Sequence, residues 1–499
     1  MSDFWLLAML ALPLGGSGLL LVSPPKASER LAVPFGIVVS ALTFLASVAV
    51  AASSPELDAQ WVPTLGLRFR LGVDGISAPL LLLTAGLVLL CMVYLHRVRP
   101  AAGRLRALVG LLLLLEVGML GTFVALDLLL FFVFFEVVLV PMWFVIAQWG
   151  DDSVPGGRRH AANLFILYTL LGSVFLLIGM LLVGTTAGTF DIVELTERAG
   201  AGLSTRVQVL AFLAMGVGLA VKSPMWPLHR WLPDAHTAAP TVGSVLLAGV
   251  LLKMGTYGFV RIAVPVVPEG ARVLAPWLAA LAVVGIIYGS LACLAQQDLK
   301  RLIAYSSVGH MGFVLLGVAT LTPAGINGAL YVNIAHGLIT GLLFFLAGAI
   351  KDRHHTADLA VLGGGLYERM PGLGALLAIA AVASLGLPGL AAFWGEMLVL
   401  LGAYDPAAAL PRAYFLVLMV IAGLGVVLTT AYFARLLRSV AQGLSFRAWR
   451  DAVLMRDASR FELVTWAPLV VLIVALGLWP GWLLAATDPV VQRLLGGVT

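Results

Sequence analysis

Residues 220–236 read AVKSPMWPLHRWLPDAH, between an apolar run VQVLAFLAMGVGLA (207–220) and a second one, VGSVLLAGVLLKMGTYGFV (242–260). Proline has no N–H and its ring clashes with the preceding turn, so Pro224 and Pro227 must break the helix that the first run would form. Backbone carbonyls freed in this way are tolerated in a bilayer only where water or other polar groups meet them. Lys222 stands at the edge of that break, where it can gain and lose a proton. A lysine beside a broken apolar helix therefore reads as a polar pocket inside a membrane span.

The rest of the chain fits this reading. It has 499 residues, 61% hydrophobic and 11% charged, against about 25% charged in a soluble domain. Apolar runs long enough to cross a bilayer recur near 4–23, 31–52, 74–95, 106–126, 128–149, 161–184, 207–228, 241–263, 273–295, 301–321, 325–350, 373–402, 413–438 and 463–486. They are continuous rather than alternating, which predicts helices and not a β-barrel. The expected fold is thus an all-α polytopic membrane protein with about fourteen transmembrane helices. The first run lacks a basic leader and a small-residue cleavage site, so it reads as span one and not as a signal peptide.

Of the 30 lysines and arginines, twenty fall in loops after odd-numbered spans and eight after even-numbered spans or in the tail. The positive-inside rule then puts the odd loops in the cytoplasm and both termini outside. A net charge of +5 distributed in this way gives no nucleic-acid signal. Two basic residues remain, Lys222 and Lys253, and both lie inside spans. Cys91 and Cys293 sit in apolar runs with no CxxC or Cys/His cluster, which leaves iron–sulfur and structural zinc sites unsupported.

Span twelve is also interrupted, at SLGLPGLAAFWGEM. It lies five spans after span seven and enters the membrane from the opposite side. Paired broken helices in two halves mark an ion or substrate site near the midplane. This pattern suggests two inverted five-helix repeats with broken helices seven and twelve. The expected divisions are 1–105 (three N-terminal helices), 106–263 (first repeat), 264–440 (second repeat) and 441–499 (loop and helix fourteen).

Glu136, Lys222, Lys253 and Glu396 are charges deep within spans, with Glu116 in span four a weaker candidate. A charge at the bilayer centre costs roughly 2.5–3.5 kcal/mol on insertion scales, so each should be paired, hydrated or functional. Burial disfavours a charged form and a neighbouring opposite charge favours it. A Glu136–Lys222 pair that opens and closes would therefore load and unload a proton. His229, His236, His310 and His336 are candidate relays, since histidine titrates near neutrality. Each could equally be a hydrogen-bonded packing residue, as could Glu116. His96, His160, His354 and His355 read as loop residues. Asp151, Asp152, Asp234 and Asp298 sit at span ends and read as caps. Haem is disfavoured, because no second histidine pair shares the helices of His310 and His336.

The segments FFEVVLVPMWFVIAQWG, VKSPMWPLHRWLPDAHTAAPTVGSVLLAGVLLKMGTYGFVR, QQDLKRLIAYSSVGHMGFVLLG and SLGLPGLAAFWGEMLVLLGAY resemble the antiporter-like, proton-pumping membrane subunits of respiratory complex I. The resemblance covers about residues 70–440. The glutamate of WGEM points to the chain M (mitochondrial chain 4) branch, since chains L and N usually carry lysine there. The resemblance implies fourteen spans in two inverted repeats. It implies that Glu136 and Lys222 are the span-five and span-seven partners, Lys253 the central span-eight lysine and Glu396 the exit residue. His229, His236, His310 and His336 match family positions. Ser223 and Arg230 depart from the usual pattern, and the chain ends too soon after span fourteen for a long lateral helix. The resemblance further implies a multi-pass protein of the bacterial inner membrane with other membrane-arm subunits as partners, including chains like L and N. It implies no cofactor in this chain, with NAD, FMN, iron–sulfur clusters and quinone in the partner subunits. Three other readings stay open: a cation/proton antiporter subunit of the Mrp type or the equivalent subunit of a related hydrogenase or deazaflavin dehydrogenase, a spacer that no longer pumps, and a stand-alone solute transporter.

Overall fold

The computed structural model describes residues 2–24, 29–100, 102–442 and 456–496. Lys26, Arg447 and Arg450, which entered the charge count, lie outside the described residues. Among the described residues, thirteen helices are long and apolar enough to cross a membrane: Asp3–Val22, Ala32–Ser53, Ser77–Arg97, Leu105–Val124, Leu128–Trp149, Gly157–Ala187, Thr205–Lys222, Thr241–Val266, Pro268–Ala295, Leu299–Ala319, Pro323–His354, Arg412–Ala441 and Arg460–Leu478. The remaining crossing, span twelve, is built from two shorter helices, Pro371–Ala383 and Ala391–Tyr404. The chain is a polytopic, nearly all-helical membrane protein.

The two interruptions fall where the prolines put them. Span seven stops at Lys222 and resumes as the short helix Trp231–Ala238. Span twelve stops at Ala383 and resumes at Ala391, so Glu396 sits in its second half-helix, beyond the break. The two halves also share an anchoring device. Leu128 N donates to Phe190 O at 2.8 Å and Ile192 N to Leu126 O at 2.9 Å, and Leu299 N donates to Ala357 O at 2.8 Å and Leu359 N to Gln297 O at 2.7 Å. These bonds make the bridges Asp127–Asp191 and Asp298–Asp358. All four aspartates cap the helix that follows them, each accepting from a backbone N–H of its first turn. Counting crossings puts the first bridge on the even-loop face and the second on the odd-loop face, as inversion requires.

Spans eight and eleven form the interior, with every residue of each hydrophobic window buried. Span eight is irregular. Its turns at Leu247–Leu251 and Phe259–Ala263 are π-helical, and they flank Lys253 on both sides. Such wide turns are frequent at functional sites, because they leave carbonyls free of the regular ladder.

Three features depart from the sequence reading. An antiparallel hairpin, β1 Glu56–Val62 with β2 Leu67–Gly72, joins spans two and three. Its charges explain why it was not seen: Arg68 and Arg70 pair with Asp58, Glu56 and Asp191 instead of marking a solvated loop. Arg261, counted among loop charges, is buried in the outer turn of span eight and meets Asp74 at 2.5 Å. Burial works against the Asp74 carboxylate, but the Arg261 guanidinium holds it below its ordinary range. Span fourteen ends at Leu478, and Pro480 starts a separate helix, Gly481–Leu495.

Candidate proton-transfer site

The predicted pair on spans five and seven is near but open. Glu136 accepts a hydrogen bond from Ser173 Oγ of span six. Lys222 Nζ has no hydrogen-bond partner and lies over the Phe135 ring, 4.5 Å from its centroid. Lys222 is 2% exposed, and its ammonium faces the Phe135 ring with no hydrogen-bond acceptor among the described residues. At the break one carbonyl is met by a side chain, since the indole of Trp231 donates to Val221 O at 3.0 Å. Close packing of small residues fixes the end of the helix, where a Cβ on Gly218 would stand 2.4 Å from Gly172 O.

Deeper in the protein, four groups form a line. Lys253 Nζ donates to Ala248 O, in the wide turn before it, and contacts His336 Nδ1 at 2.6 Å. A protonated Lys253 makes Nδ1 the acceptor, which puts the ring's own hydrogen on Nε2. That Nε2 is buried and has no partner. The rings of His336 and His310 lie 5.5 Å apart between centroids. Both line a cavity of about 10 Å³ with Thr340 and Ser384, close to the smallest volume that holds a water. His310 Nδ1 then meets Glu396 Oε1 at 3.5 Å. Lys253, His336, His310 and Glu396 come from spans eight, eleven, ten and twelve. Lys253 is fully buried and Glu396 is 6% exposed. Gly386, with φ +67°, lets the chain turn beneath that carboxylate, and a Cβ there would stand 2.4 Å from Glu396 Oε2.

The other candidates are placed apart. His229 packs on Tyr288 and Tyr305, with centroids 5.0 and 6.3 Å away, and makes no hydrogen bond or ring contact with the other three histidines. His236 stacks on Phe344 with 4.6 Å between centroids, and neither ring nitrogen has a partner. Glu116 is fully buried and both its carboxylate oxygens lack partners, so it has no polar neighbour of the kind expected. Ser173, Asn333 and Thr256 were not singled out from the sequence, since small polar residues in apolar spans carry no distinct signal. Thr256 Oγ1 donates to Asn333 Oδ1 at 3.0 Å, tying span eight to span eleven one turn from Lys253. No group of three or more His, Cys, Asp or Glu side chains converges as a metal site among the described residues.

Residues 125–429 match the family model described as NADH:quinone oxidoreductase/Mrp antiporter, transmembrane. NADH-quinone oxidoreductase subunit M of Rhodobacter capsulatus is 39% identical over 506 residues, covering 98% of this chain and 94% of that protein. The subunit M of Rickettsia prowazekii is 36% identical over 489 residues, covering 96% and 95%. A chain of respiratory complex I from Thermus thermophilus superposes with a TM-score of 0.87 at 31% identity, covering 99% of this chain and all of that one.

Proposed function

From the premise that this chain belongs to the NADH:quinone oxidoreductase/Mrp antiporter family, we propose how its buried groups move protons. It is an antiporter-like membrane subunit of NADH-quinone oxidoreductase, the complex I enzyme, and it works with the other membrane subunits of that complex. Electron transfer takes place in partner subunits that hold the NAD, FMN, iron–sulfur and quinone chemistry. The role of this chain is to turn a signal from that chemistry into proton translocation.

The observation that carries the reading is the line Lys253–His336–His310–Glu396. It joins the centre of the first repeat (106–263) to the broken helix of the second (264–440). A proton on Lys253 passes to His336 Nδ1, the hydrogen on Nε2 leaves toward His310, and Glu396 receives it for release. Glu136 and Lys222 set the drive. When Glu136 leaves Ser173 and closes on Lys222, the lysine charge is neutralised by its partner and repels Lys253 less. When the pair opens, repulsion returns and Lys253 discharges. By the positive-inside rule the odd loops face the cytoplasm of a bacterial inner membrane and both termini face outward. Glu136 is half-buried on a stripe with Val133 and Val140, which are 42% and 53% exposed. A carboxylate on such a face fits cover by a neighbouring subunit of the L or N type, not by lipid.

The test is Lys253→Met in the assembled complex, read as proton pumping into sealed vesicles per electron pair. Pumping by this subunit should be lost, with a fall of about tenfold or more in coupled turnover. Normal stoichiometry in that variant would reject the reading. The more distant Mrp complex from Dietzia shares the fold, at 24% identity with a TM-score of 0.84.

A further inference from the structure

The odd-loop face carries an open cavity of about 840 Å³, lined in part by Tyr94, Asp151, Lys300, Lys351, Asp352 and Arg353. Most of these charges are matched. Lys351 pairs with Asp151, Arg353 meets Glu462 at 2.8 Å, and the Tyr94 hydroxyl lies 3.3 Å from Asp352. Part-burial alone would raise the Asp151 carboxyl, yet the Lys351 ammonium and Ser153 bring it down to about 2, so it stays charged.

Lys300 is different. It sits in the first turn of span ten, lines the cavity, is 4% exposed and makes no ion pair. Its Nζ donates only to Ala239 O, at 3.0 Å. Ala239 caps the short helix Trp231–Ala238, and His236 lies one turn back on that helix. His236 is fully buried, its ring nitrogens have no hydrogen-bond partner among the described residues, and Lys300 and Lys253 both lie within electrostatic reach of it. His336 is the further titratable group in reach of His236, and Asp151, Asp298, Lys351 and Asp352 surround Lys300. The proton line described above begins at Lys253 and has no source on this face. An unpaired ammonium at the floor of a polar cavity, followed by an unpartnered imidazole, supplies one.

We propose that this cavity is the proton-uptake mouth of the subunit and that Lys300 delivers protons through His236 to Lys253. A solvent hydronium protonates neutral Lys300. The ammonium gives one N–H proton to the free ring nitrogen of His236, and the opposite ring N–H then passes to neutral Lys253, with cavity water bridging the steps. Each transfer breaks one bond to hydrogen and forms one. In this scheme Lys222 acts on Lys253 through its field and carries no proton in the line. The proposal rests on the role given above to Lys253 and on the cytoplasmic placement of the odd loops.

The experiment compares Lys300→Met, Lys300→Arg, His236→Phe and Lys253→Met in the assembled complex. Arginine keeps the charge and a donor for Ala239 O but does not release its proton at neutral pH. Expected for both Lys300 variants and for His236→Phe is a fall of about fivefold or more in proton pumping and coupled quinone reduction. Electron transfer to an artificial acceptor that bypasses the membrane arm should be unchanged. Rescue by Lys300→Arg would mean a structural role and would overturn the assignment. Normal pumping in the Lys300 variants beside loss in Lys253→Met would overturn the uptake route alone. Normal pumping in Lys253→Met would remove both readings.

Discussion

The two halves of the molecule carry the same helices with the charges exchanged. In the first half the acid is on span five and the base at the break of span seven. In the second half the base is on span ten and the acid beyond the break of span twelve. Glu136 stands nine residues after the cap Asp127, and His310 stands twelve after the matching cap Asp298, a difference of about one helical turn. Their states differ as well. Glu136 is turned to Ser173 and Lys222 is left over a phenyl ring, whereas His310 and Glu396 are 3.5 Å apart. An opposite charge at short range favours the charged form of both partners. One open pair and one closed pair thus sit on scaffolds run in opposite directions. In the proposed scheme, exchanging which pair is closed would move a proton from one half to the other without a large rearrangement.

The contrast predicts that the two pairs respond unequally to neutral substitutions of similar size. His310→Gln interrupts the line itself, and proton pumping should fall about a hundredfold. Glu136→Gln removes a charge that acts at a distance, so the fall should be nearer tenfold, with quinone reduction and pumping reduced together. Equal losses, or a larger loss at Glu136, would mean that both pairs lie in the transfer path. Gly386→Ala perturbs the closed pair by geometry alone. Alanine at φ +67° costs about 1–2 kcal/mol, and its Cβ would press on Glu396 Oε2 from 2.4 Å. Lower thermal stability of the complex and a loss of about fivefold in pumping are expected, since small misplacements at a transfer site are costly. Unchanged pumping would show that the His310–Glu396 distance is not critical.

These pairs were legible in the sequence to an uneven degree. Glu136, Lys222, Lys253 and Glu396 stood out because a charge in an apolar run is expensive and so requires a reason. Pro224, Pro227 and Pro388 located the breaks because a missing N–H is a covalent fact. Asp298 read as an ordinary span-end cap, and its bridge to Asp358, matching that of Asp127 to Asp191, adds a mark of the inversion that the broken helices suggested. Two buried basic residues near span ends share one cause for reading as loop charges. Arg261 and Lys300 were counted as loop charges, yet the first is 7% and the second 4% exposed. A long basic side chain near a span end can reach toward water or be buried by neighbouring helices, and its position in the sequence is the same in both cases. The open state of the Glu136–Lys222 pair was not legible either. It depends on Ser173, thirty-seven residues away from Glu136 and indistinguishable in sequence from a packing serine. The break before the last helix did carry a signal, WPG at 479–481, that the continuous apolar character around it obscured.

Ser173 offers the finest probe of the contrast, because it touches only one side of it. Its single O–H has a second acceptor in Thr169 O, 3.0 Å away within its own helix, so the serine keeps a partner when Glu136 moves off. Ser173→Ala removes the hydroxyl that donates to the carboxylate and leaves the backbone of span six as it is. Without that partner Glu136 has Lys222 as its nearest remaining favourable contact, and the open state loses about 1–2 kcal/mol relative to the closed one. Pumping should then change by about twofold to threefold, less than for removal of either charge, because both charges stay and only their balance shifts. The direction separates two roles for the serine. A slower turnover with full stoichiometry means that leaving the closed state has become the difficult step, which is what a latch for the open state predicts. Reduced stoichiometry at normal turnover would instead mean that Ser173 carries the proton of Glu136, and the first-half pair would then belong to the path and not to its control.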